Sequence, residues 1–168
     1  APAMRAAGAY RVEIDALFDS LLDALAASGR TPFVLVAGAA SGSGASTVAL
    51  SLAHAACNRG LRALVVDRNE RAPTLSDFAE DFEPARLRRS GAGARILRRD
   101  GDGEILLQPL HADDDVDAGD ARDDDAFDLV LIDAGQFRTA ARIARESRTI
   151  DAMVAVARKG ADGVDRAA

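Results

Sequence analysis

Phe33-Val34-Leu35-Val36-Ala37-Gly38-Ala39-Ala40-Ser41-Gly42-Ser43-Gly44-Ala45-Ser46-Thr47 is the stretch on which the fold turns. Its first residues, Phe33 to Ala37, form an unbroken apolar run, the pattern of a strand buried on both faces of a parallel sheet. Gly38 to Gly44 is then a turn, and Ala45 to Asn58 has the composition of a helix that ends at Arg59-Gly60. Ala63-Leu64-Val65-Val66 repeats the buried-strand pattern and closes on Asp67. Strand, helix and strand in this order make a βαβ unit, which requires a parallel sheet.

Upstream, Val12, Ile14, Leu17, Phe18, Leu21, Leu22 and Leu25 follow the spacing of one helix face, predicting an amphipathic helix from Tyr10 to Ala27. Ser28-Gly29-Arg30-Thr31-Pro32 stops it. Downstream, Arg71 to Asp102 reads as irregular or weakly helical and Ile105-Leu106-Leu107 as a third strand. Phe127 to Ile132 is a strand ending in Asp133, Thr139 to Arg148 a helix, and Met153 to Ala157 a last strand. The alternation predicts an α/β fold, a mostly parallel sheet with helices on both faces. The 168 residues suit one domain, with 1–9 disordered, 111–126 an acidic loop and 161–168 a tail.

No apolar run approaches the roughly 20 residues that cross a bilayer, so direct membrane insertion is not expected. The opening Ala1-Pro2-Ala3-Met4 lacks the basic flank and apolar stretch of a signal peptide, which points to the cytoplasm. A net charge of −6 argues against nucleic acid as a partner. Arg86, Arg88, Arg89, Arg95, Arg98 and Arg99 precede an acidic run from Asp113 to Asp125, which reads as opposite charges pairing loosely or staying solvated rather than as a docking surface. Cys57, among alanines on a helix, reads as a small buried apolar residue, and His54 and His111 have no spacing partners that would define a metal set. Of the 21 basic residues only Lys159 is a lysine.

Small residues between a strand and a helix let backbone N–H groups close around a phosphate at the helix N-terminus. One resemblance of this loop is to the short-chain dehydrogenases, through Gly38, Gly42 and Gly44, the acid Asp67 and Asp133-Ala134-Gly135. Asp67 stands 23 residues after Gly44, farther than that family places its acid, and the family's Tyr-x-x-x-Lys pair has no counterpart, since the chain holds only Tyr10 and Lys159. That resemblance would imply an inactive dinucleotide-binding fragment.

The broader resemblance is to the deviant P-loop ATPases related to MinD and ParA, and within them to the bacterial tyrosine kinases of capsule and exopolysaccharide export. Their Pro-Gly-Glu-Gly-Lys-Ser-Thr is similar, without gaps, to Ser41-Gly42-Ser43-Gly44-Ala45-Ser46-Thr47. Their Asp-x-Asp-x-Arg followed by Pro resembles Asp67-Arg68-Asn69-Glu70-Arg71 with Pro73, and their Phe-Asp-hydrophobic-Asp-Thr-Pro-Pro resembles Phe127-Asp128 through Asp133-Ala134-Gly135-Gln136. The likeness runs from Tyr10 to about Gly160. It implies a P-loop NTPase-like, three-layer α/β/α fold that takes ATP or ADP with Mg²⁺. Gly42, Ser43, Gly44, Ala45, Ser46 and Thr47 would surround the phosphates, with Asp67 and Asp133 beside them, and Ser46, Asp67 and Asp133 would hold the metal. The partner implied is a polysaccharide co-polymerase or another membrane assembly protein at the cytoplasmic face of the inner membrane, with a homo-oligomer also implied.

The departures remove the chemistry. Ala45 stands where the phosphate-binding lysine belongs, and the place of the family's earlier signature lysine falls near Ala40. Asn69 replaces the second aspartate and lacks a carboxylate base, Ser43 replaces the glutamate, and Ala134-Gly135-Gln136 replaces Thr-Pro-Pro. The tail from Gly160 to Ala168 has no tyrosine, and of an oligomerisation motif aligned near Gly8, Arg11 and Ile14 only Arg11 matches. Tyr10 then reads as a packing or interface residue. The expectation is a catalytically degenerate regulatory or scaffolding partner in polysaccharide synthesis and export, with at most residual nucleotide binding. A MinD/ParA-like positioning protein for pilus machinery is the alternative, and for the loop itself an empty turn retained for the fold remains open.

Overall fold

The computed structural model describes residues 2–26, 29–86, 93–110, 127–146 and 150–158, with side chains from Gly8 onward. The elements run α1 (Pro2–Leu25), β1 (Phe33–Gly38), α2 (Ala45–Cys57), β2 (Arg62–Asp67), α3 (Thr74–Ala79), β3 (Glu83–Arg86), β4 (Gly93–Asp100), β5 (Gly103–Gln108), β6 (Leu129–Gln136), α4 (Phe137–Glu146) and β7 (Ala152–Val156). The seven strands of the described residues form one sheet in the order β3-β4-β5-β2-β6-β1-β7. From β5 to β7 every pairing is parallel, whereas β4 runs antiparallel to both β3 and β5. The fold is α/β with a mostly parallel sheet.

Alternate residues of the central strands feed two cores. Val34, Val36, Ala63, Val65, Ile105, Leu107, Leu129 and Leu131 join residues of α1, α2 and α3 in one. Phe33, Leu35, Ala37, Leu64, Val66, Leu106, Val130 and Ile132 join Ala140 of α4 in the other, so helices cover both faces. Because both faces are covered, these strands are continuous apolar runs rather than alternating ones.

α1 packs on α2 through Ile14, Phe18, Leu21 and Leu25, one face of the helix. It starts at Pro2, earlier than the periodicity from Tyr10 predicts, so residues 2–9 continue the helix. Buried Ala45, Ala49, Ala53 and Ala56 let α2 lie close to the sheet. Arg59 closes the α1–α2 joint, with its guanidinium 4.9 Å from the centre of the Phe18 ring and paired to Asp15 at 3.2 Å and Asp19 at 2.7 Å.

The segment from Arg71 to Asp102, expected to be irregular or weakly helical, instead holds the short α3 and the antiparallel β3 and β4. Arginines had disguised β4. Arg98 binds Asp100 at 2.6 Å and Arg99 binds Glu104 of β5 at 2.7 Å, so these arginines find local partners. Burial pushes the Glu104 carboxyl up, but hydrogen bonds from Arg99 and Arg62 outweigh it and hold the group below its usual range. Cys57 is buried and unpaired, as a small apolar residue would be. The acidic run, His111, Lys159 and the tail lie outside the described residues.

Side chains fasten the sheet at the N-terminal ends of its parallel strands. Asp151 accepts the Phe33 N–H at 2.8 Å and also binds Arg30, Asp128 accepts the Arg62 N–H at 2.8 Å, and Thr31 Oγ1 donates to the Phe127 carbonyl at 2.7 Å. The opposite ends carry the glycine loop and the buried acids.

Phe18→Ala is expected to lower the unfolding free energy by about 3 kcal/mol or more, since it empties a fully buried site and strips Arg59 of its ring. Urea unfolding followed by circular dichroism checks this.

Candidate functional site

The sheet order creates a crevice. From β1 the chain leaves through α2 toward β2, on one side of β1, and from β6 it leaves through α4 toward β7, on the other side. The two helices lie on opposite faces, so the loops after the neighbouring strands β1 and β6 diverge. Such a point, outside the carboxyl ends of parallel strands, is where α/β sheets bind ligands. The glycine loop, Asp67, Asp133 and the start of α4 all fall there.

Within the loop Ser43 turns inward. Its hydroxyl accepts the Ala40 N–H at 3.0 Å and donates to the Ala40 carbonyl at 2.8 Å, folding residues 40–43 on themselves. Gly44 has φ 94°, a left-handed conformation that side chains rarely adopt, and it is the N-cap of α2 without any side-chain cap. The leading N–H groups of α2 are therefore available to solvent or an anion. Ala45 is buried, its methyl in the core with Ala49 and Val36. Ser46 is half-buried, while Gly42 and Thr47 are exposed.

The two acids end adjacent strands in register, Asp67 on β2 opposite Asp133 on β6. Both are buried, at 1 % and 0 % exposure, yet their surroundings differ. Asp67 Oδ1 accepts the Asn69 N–H at 3.0 Å, and Oδ2 accepts the Ser76 N–H at 3.0 Å and the Ser76 hydroxyl at 2.6 Å. Ser76 Oγ in turn accepts the Leu110 N–H at 2.9 Å. Asp67 thus caps the first turn of α3 from a distance and joins it to the end of β5. Its oxygens serve the fold.

Asp133 Oδ1 accepts the Gly135 N–H at 2.9 Å, while Oδ2 is buried with no hydrogen-bond partner. Burial pushes this carboxyl above the usual carboxylate range and the Asp67 charge adds to the push. The Ser46 hydroxyl and the Gly135 N–H favour the ionised form without cancelling it. Ser46 lies close enough to act on the carboxylate, but no donor reaches Oδ2 in hydrogen-bonding geometry. An orphaned buried oxygen beside a serine hydroxyl, at an uncapped helix start, is chemically suited to a proton or a hard divalent cation.

Other groups around the crevice were not legible as site residues. Gly135 has φ 65°, and a Cβ there would collide with the Asn69 side chain, so Asn69 fixes the β6–α4 turn by packing. Arg71 donates to Gln136 Oε1 at 3.5 Å, and Arg142 of α4 binds Glu70 at 2.5 Å. The positions of Asn69 and Arg71 within the Asp67–Arg71 motif were the only sequence signal for them. A separate cleft of about 170 Å³ lies between α1 and α2, lined by Tyr10, Ile14, Ser51 and His54 among others. There the Tyr10 hydroxyl meets Ser51 Oγ at 3.1 Å, which makes Tyr10 a helix–helix contact.

No protein-family model, curated protein or solved structure matches the chain. Among the described residues no helix is long and apolar enough to cross a membrane, and no group of three or more His, Cys, Asp or Glu is arranged to hold a metal ion. A cation at Asp133 would need oxygens from Ser46, water and a ligand phosphate.

The neighbouring acids should respond oppositely to substitution. Asp67→Ala strands buried donors on Asn69 and Ser76 and is expected to cost about 2 kcal/mol or more. The folded pKa of Asp133 is raised, so the native state holds that proton more tightly and stability falls as pH rises through the carboxylate range. In EDTA, Asp133→Asn is expected to gain stability over wild type progressively as pH rises above the ordinary aspartate pKa of about 4. Urea midpoints of the three proteins across that range check both statements.

Proposed function

We propose that the chain is a P-loop NTPase-like nucleotide-binding domain without turnover. It would be a degenerate relative of the MinD/ParA group, nearest the polysaccharide-export tyrosine kinases, acting as a regulatory or scaffolding partner of a membrane assembly protein at the cytoplasmic face. The observation that carries this reading is the buried, half-satisfied Asp133 facing Ser46 at the uncapped start of α2, with the Ala45 methyl where the lysine would stand. Binding needs N–H groups, a hydroxyl and one carboxylate, all of which are placed at the crevice. Transfer of a phosphoryl group also needs charge on the leaving phosphates and a positioned base or water. Asn69 offers no carboxylate and its side chain packs on Gly135.

In this proposal the first-turn N–H groups of α2, from Ala45 to Thr47, orient a terminal phosphate. Ser46 and Asp133 take the Mg²⁺ that accompanies it, and Asp67 holds the walls of the site. The bound nucleotide supplies charge and a conformational signal rather than a reaction, which fits a domain that senses nucleotide for a partner.

Isothermal titration with MgADP and MgATP is expected to give dissociation constants in the micromolar range, weakened by about ten-fold or more in Ser46→Ala. EDTA should weaken binding to wild type far more than to Asp133→Asn. Sustained Mg²⁺-dependent hydrolysis or autophosphorylation would overturn the loss of turnover, and absence of heat with every nucleotide would overturn the binding site.

A further inference from the structure

We infer that Arg71, on the β2–α3 connection, supplies the positive charge that the glycine loop lacks, and that the ligand it selects is a polyphosphate carrying a divalent cation. The inference rests on the phosphate-binding reading above. The loop residues from Gly38 to Thr47 include no cation, and the place of the lysine is filled by a buried methyl. The starts of α2 and α4 converge on the crevice, and each offers only about half a positive charge at its first turn. Asp133 Oδ2, buried and unpartnered at the start of α2, is an independent sign that a cation belongs in the site. A polyphosphate brings that cation with it, but its remaining negative charge still needs a fixed positive group.

Arg71 is placed to be that group. Its Nη1 reaches Gln136 Oε1 at 3.5 Å, the outer limit of a hydrogen bond. Gln136 is the last residue of β6, pairs in register with Gly38 at the mouth of the glycine loop, and immediately precedes α4. The guanidinium therefore lies at the side chain of the residue that precedes α4, and the backbone of that residue pairs with the first residue of the loop. Glu70 is engaged by Arg142, and among the described residues no carboxylate pairs with Arg71. An exposed arginine held by one long bond to a neutral amide can turn to a phosphate at little cost, and its planar fork matches two phosphate oxygens.

The test is titration of the whole chain with MgADP and with magnesium pyrophosphate, using wild type, Arg71→Ala, Arg71→Lys and, as a control on α4, Arg145→Ala. Expected is a loss of about ten-fold or more in Arg71→Ala for both ligands, with partial recovery in Arg71→Lys and no change in Arg145→Ala. The thermal midpoint of Arg71→Ala should match wild type, since the side chain is exposed. If wild type binds and Arg71→Ala binds equally well, the inference fails while the phosphate-binding reading stands. A loss with MgADP but not with pyrophosphate would place Arg71 at the nucleoside and also overturn it. If wild type binds neither ligand, both the inference and the reading beneath it fall.

Discussion

A parallel sheet must hide both faces from water, and in this chain β6 meets that requirement by entering between β1 and β2. The first six residues of β6 are buried, as are all six of β1 beside it, and the insertion of β6 sends α2 and α4 to opposite faces. Their starts then have to meet at one end of the sheet. The crevice, the converging helix dipoles and the adjacency of Asp67 and Asp133 all follow from that single placement. At the opposite end Asp128 and Asp151 fasten the strands through backbone N–H groups instead.

Two carboxylates side by side in a dry sheet would repel each other and lose hydration, so each needs its own solution. Asp67 is met by the turn that follows it. The Asn69 and Ser76 donors surround its oxygens, and the cost of burial is offset by hydrogen bonds that also fix α3. Asp133 has one such bond and keeps Oδ2 unmet. Among the described residues two buried side-chain oxygens lack a partner, Asp133 Oδ2 at the base of the crevice and Gln108 Oε1 at the end of β5. An acid fully satisfied by the fold and one left half-satisfied can share the same strand position and differ only in what the next loop provides.

The sequence made the parallel core legible because doubly buried strands have little compositional freedom. Runs such as Val34 to Ala37 and Leu64 to Val66, each followed by a glycine or an acid, fit few other structures. β4 escaped because its neighbours supply counter-charges: Arg98 is matched by Asp100 and Arg99 by Glu104, so a real strand carries a polar, unpatterned sequence. The Asp100-Gly101-Asp102-Gly103 turn between two such strands was the available hairpin signal. In the site, motif spacing placed Asp67 and Asp133 at strand ends but could not distinguish their roles. That difference depends on Ser76, nine residues beyond Asp67, and on a contact between Asn69 and Gly135 that only the folded chain brings together.

In the P-loop reading proposed above, an alanine at position 45 has a packing side as well as a catalytic one. Ala45 contributes a methyl to the same core as Val36, Ala49 and Leu52, at the point where α2 leaves the loop. A lysine there would have to run its stem out of a filled space and hold an ammonium near the start of a helix, where the dipole opposes positive charge. A phosphate offsets that cost when bound; an empty loop does not. The methyl therefore favours a loop that stays folded without a ligand, in keeping with the inward-turned Ser43. The glycine turn is thus neutral, and arginines stand near it on the β2–α3 connection and on α4, where Arg71 reaches Gln136 and Arg142 reaches Glu70.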